Sequence, residues 1–306
     1  MIFAHENRWC LYLIRQNEQA FAQFDHPMNT HKITDFSLLL LFILSSSALL
    51  RAQTPTKEFV DAIEDNSFFV EEAYNQEHRV VQHIFNGMFF KKPNDESMLT
   101  LTQEWPLGGQ DHQLSVTIPY LWLNENRVNN LGDVQVNYRY QLFGANDWAC
   151  ISPRLSLILP IGNVEKGFGT GVVGLQANLP ISKRLTNAFI FHANSGATLL
   201  PNAEKYISET QRVKKTLTSF NLGGSLIWLA SYHLNFLCEF VFNSVHDVNE
   251  VGDAFRVKEY IISPGLRIAI DFHDLQIVPG FAYPIRFVEG ESQAGIFGYL
   301  SFEHPF

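Results

Sequence analysis

Between residues 131 and 160 the chain alternates oily and polar side chains along two strand-length runs with a turn between them. Val134, Val136, Tyr138, Tyr140 and Leu142 occupy one side of a pleat whose other side carries Gln135, Asn137, Arg139 and Gln141. After Gly144-Ala145-Asn146-Asp147 the pattern resumes, with Ala149, Ile151, Pro153, Leu155, Leu157 and Leu159 on one side and Ser152, Arg154 and Ser156 on the other. Strand side chains repeat with period two, so each run has one greasy and one polar face along its full length. A soluble sandwich would turn the greasy face inward. An outer-membrane barrel turns it toward lipid and leaves Arg, Asn and Gln facing a wet lumen.

The same pattern recurs to the end of the chain. Centres at 79–90, 98–105, 113–123, 133–143, 148–160, 171–181, 187–199, 217–229, 233–243, 257–270, 275–287 and 294–302 predict an all-β, transmembrane, antiparallel up-and-down β-barrel of about twelve strands. Beginning after the second strand, every other connection is tight, at 106–112, 144–147, 182–186, 230–232 and 271–274. The intervening ones include longer loops at 124–132, 161–170, 200–216 and 244–256. Short periplasmic turns opposite long external loops are what a bacterial barrel requires, and an even strand count puts both termini at one end. Trp122, Trp148, Trp228, Tyr206, Tyr232 and Phe287 fall near the expected strand ends, where aromatic rings meet lipid headgroups.

These residues also carry a family resemblance. The run Gly132-Asp133-Val134-Gln135-Val136-Asn137-Tyr138-Arg139-Tyr140, then Leu157-Ile158-Leu159-Pro160-Ile161-Gly162, then Asn178-Leu179-Pro180-Ile181-Ser182-Lys183-Arg184-Leu185, resembles the pattern of outer-membrane barrels named for the meta-pathway of phenol degradation. The similarity runs from about residue 65 to residue 306. It implies a fold and a place in the bacterial cell outer membrane; members of that family are inferred transporters, so it implies little chemistry. The final residues, 300–306, resemble the assembly signal of bacterial outer-membrane proteins. Phe306 is thereby expected to engage the barrel-assembly machinery, although His304 and Pro305 depart from the usual Tyr-x-Phe form.

Residues 36–50, FSLLLLFILSSSALL, are the one solid apolar run, preceded by Lys32 and followed by Arg51-Ala52-Gln53. The run is short for a membrane span and has the parts of a secretory signal, so residues 28–52 are expected to be a signal peptide cleaved after Ala52. Residues 1–27 would obstruct such a signal and are expected to be a non-native upstream extension, with Met28 as the true start; a genuine N-terminal helix is the alternative. No Cys directly follows the apolar run to serve as a lipoprotein anchor. Residues 56–64 can form a short amphipathic helix. Residues 53–77, polar but punctuated by Phe68, Phe69 and Tyr74, read either as a periplasmic leader or as a partial plug of the lumen, and residues 78–306 as the barrel.

Composition excludes several functions. Charged residues make up 17% of the chain, the net charge is −9 and the basic residues are dispersed, which argues against nucleic acid as partner. Cys10, Cys150 and Cys238 lack metal-ligand spacing, and the eleven His form no HxxxH or HExxH pattern. Gly169-Thr170-Gly171-Val172-Val173-Gly174 spells a dinucleotide fingerprint but leaves a loop and opens a strand, the reverse of what a pyrophosphate site needs. His192 and Ser195, three apart on a strand, point to opposite faces and so do not make a lipase pair. Acids of the expected external loops, including Glu165, Glu204, Glu209, Asp247, Glu250 and Asp253, could bind cations bridging lipopolysaccharide, or simply be solvated.

What remains is the lumen-facing set: Glu104, Asn137, Arg139, Arg154, Gln176, Asn178, His192, Asn194, Glu239, Arg267 and Arg286. Charge is costly against lipid, about 2–4 kcal/mol for Arg or Lys at the midplane, so these groups must be met by water or by each other. They either brace the barrel or line a path for a small solute. The expected function is passage of small molecules across the outer membrane, with no enzyme activity, cofactor or metal, and with outer-membrane lipid, lipopolysaccharide and a small solute as partners. A closed structural barrel and a lipid hydrolase built on His192 are the alternatives.

Overall fold

The computed structural model describes residues 66–90, 96–123, 128–144, 147–208, 211–273 and 275–305. The expected upstream extension, signal peptide and 56–64 helix, together with Phe306, lie outside them. The described residues are all-β: β1 (Val80–Phe90), β2 (Glu96–Pro106), β3 (His112–Leu123), β4 (Val128–Leu131), β5 (Val134–Tyr140), β6 (Cys150–Ile151), β7 (Arg154–Leu159), β8 (Gly174–Arg184), β9 (Phe189–Tyr206), β10 (Arg212–Ser231), β11 (Leu234–Val248), β12 (Ala254–Ile268), β13 (Ile270–Asp271), β14 (Gln276–Ala282), β15 (Ile285–Val288) and β16 (Glu291–Pro305). Each neighbouring pair is antiparallel, and β1 pairs with β16 from Val80↔Pro305 to Phe90↔Gly295, which closes the sheet. The result is a closed antiparallel barrel of 12 staves.

Four staves are built from two strand segments each, β4/β5, β6/β7, β12/β13 and β14/β15. Two of these interruptions fall at prolines, which cannot donate to a ladder. Pro153 separates β6 from β7, and Pro284 separates β14 from β15, yet the register on either side is unchanged. Between β4 and β5 the register slips by one residue at Gly132-Asp133, a bulge that sends the Asp133 carboxylate toward the loop at 160–173.

Alternation decides which way each side chain points. Leu155 is 65% exposed and Leu157 47%, while their chain neighbour Arg154 is 8% exposed. Phe85, Phe89, Leu99, Tyr138, Leu175, Phe191, Leu222, Phe240, Phe281 and Leu300 are likewise exposed around the wall. An apolar exterior on a closed sheet with a polar interior is the arrangement that hydrocarbon demands, since closure leaves no unpaired sheet edge. Trp148, at 78% exposure, lies near the turn end with Lys183 Nζ 3.8 Å above its ring.

The expected long loops at 200–216 and 244–256 are corrected by the structure. Strand β9 continues to Tyr206 and β10 begins at Arg212; β11 continues to Val248 and β12 begins at Ala254. Beside a buried apolar cluster of Leu200, Ala203, Leu217 and Val248, these overhangs carry ion pairs across the ladder, for example Glu204 with Lys214 at 2.7 Å and with Arg212 at 2.8 Å. That removes the alternation by which strands are read. The end opposite Val80 and Pro305 also holds a tight turn, Glu289-Gly290, with positive φ of 50° and 91°. The two ends therefore differ in strand overhang more than in loop length, apart from the loop at 160–173.

Candidate functional site

All eleven lumen-face residues singled out above are buried, on the side of the wall opposite the apolar exterior. They do not look into empty space. Residues 66–76 run inside the barrel, with Phe68, Phe69, Val70, Glu72, Ala73, Asn75 and Gln76 buried. The segment has no regular secondary structure, so each of its buried backbone groups needs a partner from elsewhere.

Most of those partners are wall side chains, while Glu72 N donates to Asn66 Oδ1 within the segment at 3.1 Å. Glu239 Oε1 accepts from Phe69 N at 2.9 Å and Val70 N at 3.0 Å. Asn194 accepts from Glu71 N through Oδ1 and donates through Nδ2 to Glu71 O, both at 2.8 Å, as another strand would. Ser182 Oγ accepts from Ala73 N at 2.7 Å, Gln141 Oε1 from Asn75 N at 3.0 Å and Gln113 Oε1 from Gln76 N at 2.7 Å. Ser67 Oγ donates to Ser225 Oγ at 2.8 Å, and Arg267 Nη1 to Asn66 O at 2.7 Å. From Gln76 back to Asn66 the chain meets β3, β5, β8, β9, β11, β10 and β12, a belt around the inner wall near the end that carries Val80 and Pro305.

Two features fix the belt. Arg139 donates through Nε to Asn75 Oδ1 at 2.7 Å, through Nη1 to Glu72 O at 3.0 Å and through Nη2 to Tyr74 O at 2.7 Å. A guanidinium suits this role because its planar fork serves several acceptors at once. At the other end, the Phe68 ring packs 5.3 Å from both Phe297 and Tyr299, centroid to centroid. It lies over Gly265 and Gly280, where an added Cβ would come within 2.7 and 2.6 Å of the ring. Those glycines form the seat.

The remaining candidates connect around the belt. Arg154 Nη1 lies 2.5 Å from Glu71 Oε1, and its Nη2 donates to Gln176 Oε1 at 2.6 Å. Gln176 donates to Thr198 Oγ1 at 2.9 Å, and Asn178 Nδ2 to Glu71 Oε2 at 3.4 Å. Glu104 accepts from Gln113 at 2.7 Å, and Asn137 donates to Ser115 Oγ at 3.1 Å. Arg286 stands apart: it donates to Gln293, lies 3.8 Å from Glu259 and caps the Phe90 ring at 4.3 Å. His192 Nδ1 shares a 2.6 Å hydrogen bond with Ser182 Oγ. His192 is buried on the inner face and Ser195 lies on the other, so the two do not meet.

The residues missed from sequence are Ser182, Ser225, Gln113, Gln141, Gly265 and Gly280. Their one sequence signal is smallness or an amide at inward positions of the alternation, which does not reveal a partner. The glycine-rich run at 169–174 leaves the loop and leads into β8. Within it Thr170 donates through N at 2.8 Å and Oγ1 at 2.7 Å to Asp133, which pins the 160–173 loop. Of the external acids, Glu204 is ion-paired as described and Asp247 is buried 2.5 Å from Lys205 Nζ. Among the described residues no group of three His, Cys, Asp or Glu could hold a metal ion.

Between the segment and the wall at Ile84, Thr102, Glu104, Thr117 and Asn137 lies a residual cavity of about 50 Å³. That is far below the roughly 300 Å³ at which small-molecule sites begin.

No protein-family model and no curated protein matches the chain. Solved structures do. An outer-membrane channel from Pseudomonas putida F1 aligns over 81% of this chain and 100% of its own, at 11% identity and a TM-score of 0.55. The NanC porin aligns over 73% of this chain and 100% of its own, at 11% identity and a TM-score of 0.45. The chain has the fold of a bacterial outer-membrane barrel.

Proposed function

We propose that the protein is a gated conduit for small molecules across the outer membrane, closed by residues 66–76. The observation that carries this reading is how the segment is held. The wall's backbone ladders close from β1 round to β16 without it, and the hydrogen bonds that fasten it to the wall go mainly to side chains. It can leave without breaking a single wall ladder. What it would uncover is a ring of charged and amide side chains, the lining a polar solute needs. The aligned channel from Pseudomonas putida F1 and the likeness to the phenol meta-pathway barrels support the same reading. On sequence grounds we assign export to the 28–52 signal and assembly to Phe306.

A closed structural barrel is the second reading, favoured by the same segment lodged against the inner wall. The two part on one experiment. Full-length protein and its Arg139→Ala variant are reconstituted in liposomes, and uptake of small polar solutes is measured. A conduit is expected to leak little as wild type and to admit solute once the Arg139 clamp is gone. Liposomes that stay impermeable with both proteins would falsify passage.

A further inference from the structure

Arg139 and Arg154 stand directly opposite each other on β5 and β7, and both are buried. Like charges facing each other across a ladder repel, and away from bulk water the pair must be met by anionic or carbonyl oxygen. The wall supplies part of this. Glu104 Oε2 lies 3.9 Å from Arg139 Nη2, while Gln113 and Gln176 accept from Arg139 and Arg154 respectively. The inserted segment supplies the rest, through the carbonyls and Asn75 side chain on Arg139 and the Glu71 carboxylate on Arg154. Asn178 reaches the second oxygen of Glu71, and Arg154 Nε is buried with no hydrogen-bond partner. Glu71 therefore places in the lumen the same group that a small organic acid would bring, with one guanidinium donor to spare.

We propose that Arg139 and Arg154, with Asn178 and Gln176, form a recognition site for the carboxylate of a small organic acid, which Glu71 occupies from within the chain while the segment is docked. The proposal rests on the conduit reading and gives it a substrate class. An incoming acid competes with Glu71 for Arg154, and the segment loses its ion pair when the acid wins. A neutral molecule of the same shape gains nothing from the pair, and a cation is repelled.

The test uses full-length protein in liposomes and three probes of similar length: succinate, succinamide and 1,4-diaminobutane. Glu71→Gln empties the site of its internal anion and is expected to raise succinate uptake roughly tenfold more than succinamide uptake, the factor of one charge-assisted contact. Adding Arg154→Gln is expected to bring succinate down to the succinamide level. A measurement without substitution guards against misfolding: in wild-type protein, succinate but not succinamide is expected to speed hydrogen exchange at the amides of residues 69–76. Equal uptake of all three probes by Glu71→Gln, or exchange indifferent to succinate, overturns the carboxylate site and leaves the conduit standing. No uptake of any probe by Glu71→Gln while Arg139→Ala admits solute overturns this proposal alone; no uptake by either of them removes the conduit as well.

Discussion

The wall and the belt inside it are built from the same chain by opposite means. In the wall, backbone bonds backbone in a repeating register, and side chains are sorted by face alone. Along residues 66–76, backbone bonds side chain, each contact is different, and no register exists. The wall's stability is thus spread over many ladders, while the belt depends on a few anchors: the Phe68 ring, the Arg139 fork and the Glu239 and Asn194 acceptors. A change at one anchor is expected to free the belt and spare the wall, and a change on the outer face to do the reverse.

The largest effect should come from the aromatic anchor, whose apolar ring is buried against the wall. Phe68→Ala is expected to weaken docking of the belt by about 3–5 kcal/mol, the usual cost of truncating a buried Phe. Hydrogen exchange at residues 69–76 should rise accordingly with the strand amides unaltered; loss of protection throughout the barrel would show that wall and belt are one unit. Next, Leu157→Arg puts a charge on the lipid side and is expected to lower the unfolding free energy of the barrel in vesicles by about 2–4 kcal/mol. No loss would mean that this face does not meet hydrocarbon. The smallest effect is expected from Glu239→Gln, which keeps an acceptor oxygen for both amides. Exchange at the Phe69 and Val70 amides should quicken by the equivalent of no more than about 1 kcal/mol, the net worth of one hydrogen bond.

The same contrast explains what could be read from sequence. Tyr138 and Arg139 separate into outer and inner faces because period two is a local property, visible within a few residues. The belt is not local: Asn66 finds its partner at Arg267 and Phe69 at Glu239, 201 and 170 residues away. A run such as Asn66-Ser67-Phe68-Phe69-Val70 shows aromatics among polar residues, which suits a leader as well as a plug, and nothing in it names Gly265 and Gly280 as a seat. The strand overhangs were hidden for another reason: Glu204, Arg212 and Lys214 pair by charge, so hydropathy there does not alternate. Prolines misled little, because Pro153 and Pro284 interrupt hydrogen bonding without shifting the register.

Whether the belt closes an otherwise open lumen can be tested by tethering it. Ser67 Oγ and Ser225 Oγ are 2.8 Å apart, close enough for a Ser67→Cys, Ser225→Cys pair to bridge belt and wall reversibly. In a planar bilayer, with Arg139→Ala as background, the reduced protein is expected to pass current and the oxidised protein to stop, with reductant restoring the current. Equal current in both redox states, with the bridge verified by mass, would contradict closure by this segment.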